Sequence, residues 1–178
     1  MTDTILTIPP TPPKPSEQIA ALQCTLEQAY LIEASAGTGK TWTLTGIILR
    51  LLIEKKYPPE RIIATTFTRA AAAEMQERIS ERLHSFYGLM RWLQGMLSTQ
   101  PEWFNQAAPI EQIITYANQA GYDAADPINE HLLKFILSQK ATFLNEVVYR
   151  TGLLLTSLDK LFVGTLDSLA QKWLNEFK

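Results

Sequence analysis

The sequence predicts an α/β protein: a parallel sheet carrying a phosphate-binding loop, with a helical insertion before the sheet resumes. Three observations predict it. A short apolar run, Tyr30-Leu31-Ile32, enters a loop of small residues, Ala34-Ser35-Ala36-Gly37-Thr38-Gly39, that ends at Lys40-Thr41. A helical pattern follows, and a second β-rich run, Arg61-Ile62-Ile63-Ala64-Thr65-Thr66-Phe67, comes soon after it; strand, crossover helix and strand form the right-handed unit of a parallel sheet. From about Gly88 to Lys160 the pattern is helical throughout, and Leu161-Phe162-Val163-Gly164-Thr165 then regains strand character.

Composition sets the frame. With 178 residues, 46% hydrophobic and 19% charged, the chain can bury one core, or one core with a small helical lobe. A formal net charge of −2 gives no bulk basic surface, so any nucleic-acid contact has to be local. The single cysteine, Cys24, can form neither an internal disulfide nor a cysteine-rich metal site, which fits a reducing compartment and a buried structural thiol. No cationic segment followed by an apolar one opens the chain, and no stretch offers about 18 uninterrupted apolar residues, so a cytoplasmic location without a membrane partner is expected.

The elements follow in order. Residues 1–15 read as a flexible leader, because Ile8-Pro9-Pro10-Thr11-Pro12-Pro13-Lys14-Pro15 is too rich in proline for helix or sheet. Order is expected from Ser16, as the N-cap of a short helix that holds Gln18. The helix opening at Lys40 repeats Leu44, Ile47, Ile48, Leu51 and Leu52 on one stripe, and Tyr57-Pro58-Pro59 stops it. A long helix from near Ala70 places Met75, Ile79 and Leu83 on one face and lets Glu74 pair with Arg78. Within the insertion, Pro109 starts a helix that Gly121 can end, and Asp126-Pro127 supplies the N-cap and first residue of another. Ser168 to Phe177 keeps helical spacing at the end. The expected division is therefore 1–15 leader, 16–87 first part of the α/β unit, 88–160 helical insertion and 161–178 return to the sheet.

The loop at residues 34–41 carries the chemistry. Small residues let several backbone N–H groups point inward, and the following helix start adds a positive dipole end, together a cradle for phosphate oxygens. Lys40 is placed to reach the β- and γ-phosphates and Thr41 to offer its hydroxyl to Mg²⁺, the reading of a P-loop that binds ATP with Mg²⁺. Alanine stands at position 34 where the strict pattern has glycine, which is tolerated if φ stays negative. His84 and His131 have no Cys, Asp or Glu at ligand spacing and read as surface residues of helices. Asp123 and Asp126 read as turn and cap residues.

Residues 34–41, taken with Thr66-Phe67-Thr68-Arg69-Ala70-Ala71-Ala72-Ala73-Glu74-Met75 and Gly164-Thr165-Leu166-Asp167-Ser168-Leu169, resemble motifs I, Ia and Ib of UvrD/RecB-type superfamily 1 DNA helicases. Among these the likeness is nearest to helicase-nucleases of the exodeoxyribonuclease V kind. Alanine at the first loop position is ordinary in that family, whereas many members carry histidine where Asp167 stands. The resemblance implies a P-loop NTPase core of the RecA-like kind, incomplete here, with ATP and Mg²⁺ as cofactors. It implies contacts to ATP from Ala34, Ser35, Ala36, Gly37, Thr38, Gly39, Lys40 and Thr41, and catalytic roles for Lys40 and Thr41. It assigns adenine recognition to Gln18, with Gln23 and Gln28 as rivals on spacing. It implies single-stranded DNA as partner, contacted by Thr66, Phe67 and Thr68 and less specifically by Thr165 and Ser168, and other subunits of a helicase-nuclease complex. Read from the residues alone, the alternative is that Phe67 is a core residue and Thr66 an ordinary strand residue.

A P-loop ATPase also needs an apolar strand ending in Asp-Glu to hold Mg²⁺ and position water. These residues contain none; the nearest, Leu153-Leu154-Leu155-Thr156-Ser157-Leu158-Asp159-Lys160, lacks the glutamate. The chain is therefore read as the N-terminal piece of a longer motor, stopping before that acidic motif, with weak nucleotide binding and little turnover of its own. The alternatives are a stand-alone nucleotide- or strand-binding module, and a small P-loop kinase in which the insertion acts as a lid.

Overall fold

The computed structural model describes residues 4–7, 19–33, 39–99 and 110–176. Most of them are helical. The strands are β1 (Thr4–Thr7), β2 (Tyr30–Glu33), β3 (Ile63–Thr66) and β4 (Phe162–Thr165). The helices are α1 (Ala20–Gln23), α2 (Lys40–Ile53), α3 (Arg69–Thr99), α4 (Ile110–Gln119), α5 (Pro127–Leu137), α6 (Ala141–Thr156) and α7 (Leu166–Glu176). Single 3-10 turns at Pro59–Arg61 and Leu158–Lys160 lead into β3 and β4.

Both strand pairs are parallel, as the α/β reading requires, but they form two sheets. β1 pairs with β2, Thr4 opposite Tyr30, and β3 pairs with β4, Ile63 opposite Phe162. The expected neighbours β2 and β3 are not paired among the described residues. A crossover helix fixes the hand of a connection, not which strand lies beside which. Strand Thr4–Thr7 also falls inside the stretch read as leader; its residues Thr, Ile, Leu and Thr favour extended pairing, and the prolines begin only at Pro9. Nor is β2 fully buried. Burial alternates along β2 and β3, leaving Leu31 and Ile63 52% and 51% exposed, because a two-stranded pair has its second face uncovered.

α2 opens at Lys40 as expected and ends where the chain turns before Tyr57-Pro58: Lys56 adopts φ 58, and the Tyr57 N–H donates to the Leu51 carbonyl at 3.0 Å. Its buried face is rotated from the expected stripe. Ile48, Leu49, Leu52 and Ile53 are buried, while Leu44 is 42% exposed. The cause is the contact with α5: a Cβ on Gly46 would lie 2.9 Å from Ile128 Cγ1, so the small residue lets the two helices close on that side. Gly46→Val is therefore expected to cost about 1–3 kcal/mol by overpacking, read as a lowered midpoint in urea denaturation.

α3 runs unbroken from Arg69 to Thr99, across the expected boundary at residue 88. Gly88 and Gly95 have open space where a side chain would go, so neither marks a close approach. One contiguous core joins α2, α3 (Ile79, Leu83, Phe86, Met90), α4 (Ile113), α5 (Leu132, Leu133) and α6 (Leu144, Val147). The helical segment thus shares the core of the α/β part. α4 and α5 form as the sequence indicated: Gly121 takes φ 81 beyond α4, and Asp126 caps α5 by accepting from the Ile128 and Asn129 amides, with Pro127 at the first position.

Candidate functional site

Gln18 and residues 34–38 lie outside the described residues. Of the expected phosphate-binding segment, Gly39, Lys40 and Thr41 are described. Gly39 is the N-cap of α2 at φ 81, a left-handed conformation that glycine adopts without strain. The first bond of the helix runs from the Thr43 N–H to the Gly39 carbonyl at 2.8 Å. The N–H groups of Lys40, Thr41 and Trp42 therefore lie in the helix start, where donors have no acceptor within the helix. No acidic residue occupies the first turn. Lys40 is exposed and its ammonium has no partner among the described residues, while Thr41 is half-buried. Amides, a cation and a hydroxyl with no partner or competing carboxylate among the described residues suit a phosphate chain with a divalent cation.

The second group of expected residues gathers at one end of the β3–β4 pair. Thr66 lies opposite Thr165 at the last position of both strands. Phe67 follows Thr66 and is 98% exposed, which removes the alternative that it is a core residue. Thr68 accepts from the Ala71 amide at 3.1 Å and so caps α3. Thr165 does the same for α7, accepting from the Ser168 amide at 3.2 Å, with its Oγ1 2.8 Å from Ser168 Oγ. Two strand-to-helix turns thus stand side by side, each held by a threonine hydroxyl. Outside the carboxyl ends of parallel strands is where such folds bind ligands.

Leu153, Leu154 and Leu155 lie on α6 and Asp159 in the following 3-10 turn, so that run is not a strand ending in an acid. Among the described residues no group of three or more His, Cys, Asp or Glu could hold a metal ion, and no helix is long and apolar enough to cross a membrane. His84 is exposed and bonds back to its own helix at Ser80.

Two polar networks have no local signature in the sequence. In the first, the Arg50 guanidinium is buried on α2: Nη1 donates to the carbonyls of Ala21 at 2.6 Å and Cys24 at 2.9 Å, while Nε and Nη2 clasp Glu54 at 2.9 and 3.1 Å. His131 of α5, expected at the surface, is half-buried and completes the cluster, its Nε2 2.6 Å from Glu54 Oε1. Burial pushes the Glu54 carboxyl up, but the hydrogen bonds from His131 and Arg50 outweigh it and hold it below its usual value. A carboxyl depressed in the folded state stabilises at neutral pH and loses that contribution as pH falls through its folded pKa. Stability is therefore expected to fall below about pH 4, and Glu54→Gln to make urea midpoints measured at pH 7 and pH 3.5 differ less. The same surroundings explain Cys24: burial raises its thiol despite the opposing charge of Arg50, the state of an unreactive thiol.

The second network centres on Asp126. Beyond capping α5, its carboxylate accepts from Trp42 Nε1 at 2.6 Å and from Arg82 Nη2 at 2.8 Å. Arg82 Nη2 also reaches Asn129 Oδ1 at 2.8 Å, and these residues line a cavity of about 240 Å³ beside the start of α2. The Asp-Pro cap was legible; its partners on α2 and α3 were not, since they are 84 and 44 residues away.

The chain belongs to the family described as the UvrD/REP helicase N-terminal domain, whose model matches residues 15–178. Similar proteins include the RecBCD enzyme subunit RecB of Chlamydia pneumoniae, 40% identical over 77 residues, covering 43% of this chain and 7% of that protein. RecB of Escherichia coli is 39% identical over 77 residues, covering 39% and 6%. The ATP-dependent DNA helicase PcrA of Staphylococcus aureus is 47% identical over 66 residues, covering 37% and 9%. The chain thus matches less than a tenth of the length of each of these relatives. No solved structure matches it.

Proposed function

We propose that this chain is the ATP-binding part of an ATP-dependent DNA helicase that moves along single-stranded DNA, of the helicase-nuclease kind that acts in recombinational DNA repair in the cytoplasm. The observation that carries the reading is the start of α2, where Lys40 and helix-start amides, without partners among the described residues, follow Gly39 in a chain of the UvrD/REP helicase family. In this reading Ala34, Ser35, Ala36, Gly37 and Thr38 complete the phosphate cradle, Gln18 reads adenine, and the core is a RecA-like P-loop unit. Thr41 holds Mg²⁺, which when bound neutralises charge on the phosphates. The name of the relative RecB, a RecBCD enzyme subunit, supports a partner complex.

Phe67, with Thr66 and Thr68 beside it and Thr165 and Ser168 on the adjoining turn, is the proposed contact to single-stranded DNA. A bare ring can stack on any base, at about 1–3 kcal/mol per base. Phe67→Ala is expected to weaken binding of a fluorescein-labelled oligothymidylate about tenfold or more in anisotropy titrations; unchanged affinity would remove the ring from the DNA track. With no acidic strand end among these residues, the 178 residues alone are expected to hydrolyse ATP marginally. That also favours a second reading, a nucleotide- or strand-binding module without turnover. Robust DNA-stimulated hydrolysis by these residues, lost in Lys40→Ala, would contradict both statements.

A further inference from the structure

We propose that Trp42 and Asp126 are positioning residues that hold the first turn of α2, and with it the phosphate-facing amides, against the helical segment carrying α5. The inference rests on the reading of residues 39–41 as a phosphate site and extends it to what controls that site.

Trp42 is the third residue of α2, so its own N–H belongs to the group left free at the helix start, while its indole reaches away and donates to Asp126 Oδ2 at 2.6 Å. The other oxygen, Oδ1, is fully engaged. It accepts from Arg82 of α3 at 2.8 Å and from the Ile128 and Asn129 amides at 2.9 and 3.1 Å. One carboxylate therefore joins three helices. Asn129 fixes it from behind: its Oδ1 takes the second bond of Arg82, its Nδ2 donates to the Asp123 carbonyl at 2.9 Å, and its own carbonyl accepts from the buried Tyr122 hydroxyl at 2.8 Å. One turn further along α2, Gly46 lies against Ile128. α2 is thus held to α5 at residues i and i+4, by a directional polar bond and by a van der Waals stop. The stop sets how near the helices approach, and the indole bond sets how α2 is turned about its axis. Rotation of the first turn would aim the amides of Lys40, Thr41 and Trp42 elsewhere, so phosphate binding and the α5 cap are coupled, and linkage makes the coupling reciprocal.

The test uses substitutions that spare the fold. Trp42→Phe keeps the ring and removes the donor; Asp126→Asn keeps an N-cap side chain and removes the charge. MgATP affinity is measured by calorimetry for wild type, both single variants, the double variant and Lys40→Ala. Hydrogen exchange at the Ile128 and Asn129 amides is followed with and without MgATP. Each single variant is expected to bind MgATP about five- to tenfold more weakly, the double variant no more weakly than the weaker single. MgATP is expected to slow exchange at Ile128 and Asn129 in wild type and not in Trp42→Phe. Wild-type affinity in both single variants, or losses that multiply in the double, would overturn the link, while loss of binding in Lys40→Ala would leave the phosphate site standing. Equal binding by wild type and Lys40→Ala, or no binding by wild type, would overturn the phosphate site and the link with it.

Discussion

Arg50→Ala is expected to destabilise the chain by about 3–5 kcal/mol, the cost of removing one partner from a buried ion pair. Arg50 is 6% exposed, and its guanidinium acts in two directions. Toward α1 it supplies donors to the Ala21 and Cys24 carbonyls, which a helix of four residues cannot satisfy within itself. Toward Glu54 it supplies a two-pronged bond, so its loss leaves a carboxylate at the edge of the core with His131 as the remaining partner. Arg50→Lys is expected to recover part of the loss, since an ammonium can reach one acceptor group but not span both. Urea denaturation with circular dichroism checks this. A loss below about 1 kcal/mol, the range of an exposed pair, would mean that the cluster is not what joins α1 to α2.

Lys40→Ala is expected to act in the opposite manner, leaving the fold intact and lowering affinity for MgATP about a hundredfold or more. The fold is spared because Lys40 is exposed, and substitutions at such positions change stability by about 0.5 kcal/mol or less. The affinity is expected to fall because hydrogen bonds to charged groups contribute about 1.5–3 kcal/mol each and, in the proposed site, the ammonium reaches two phosphates. Calorimetric titration beside a thermal melt separates the two effects. Equal affinity at equal melting temperature would exclude Lys40 from the site.

What the sequence made legible was local. Gly39 before Lys40, Gly121 after α4, and Asp126 before Pro127 each announce a helix end through a backbone or side-chain requirement that neighbours in the chain satisfy. The three motif blocks did likewise for the family. What stayed hidden depends on residues far apart. Nothing near Leu44 reveals that α2 would turn that side chain outward, because the cause is Ile128 of α5. His131 read as a surface residue because its partner, Glu54, is 77 positions away. The pairing of β3 with β4 skips the whole helical segment, and the period of a strand carries no information about its neighbour. The exposure of Phe67, which excludes it from the core, has no signal in its neighbours either.

Amide exchange at Lys40, Thr41 and Trp42, followed by NMR with and without MgATP, tests the phosphate site most directly, because it reads the donors themselves. Saturating MgATP is expected to slow exchange and shift the resonances at these amides in wild type, with no such change in Lys40→Ala. MgATP bound by wild type with all three amides unperturbed would contradict the account, since the phosphates would then sit elsewhere on the chain.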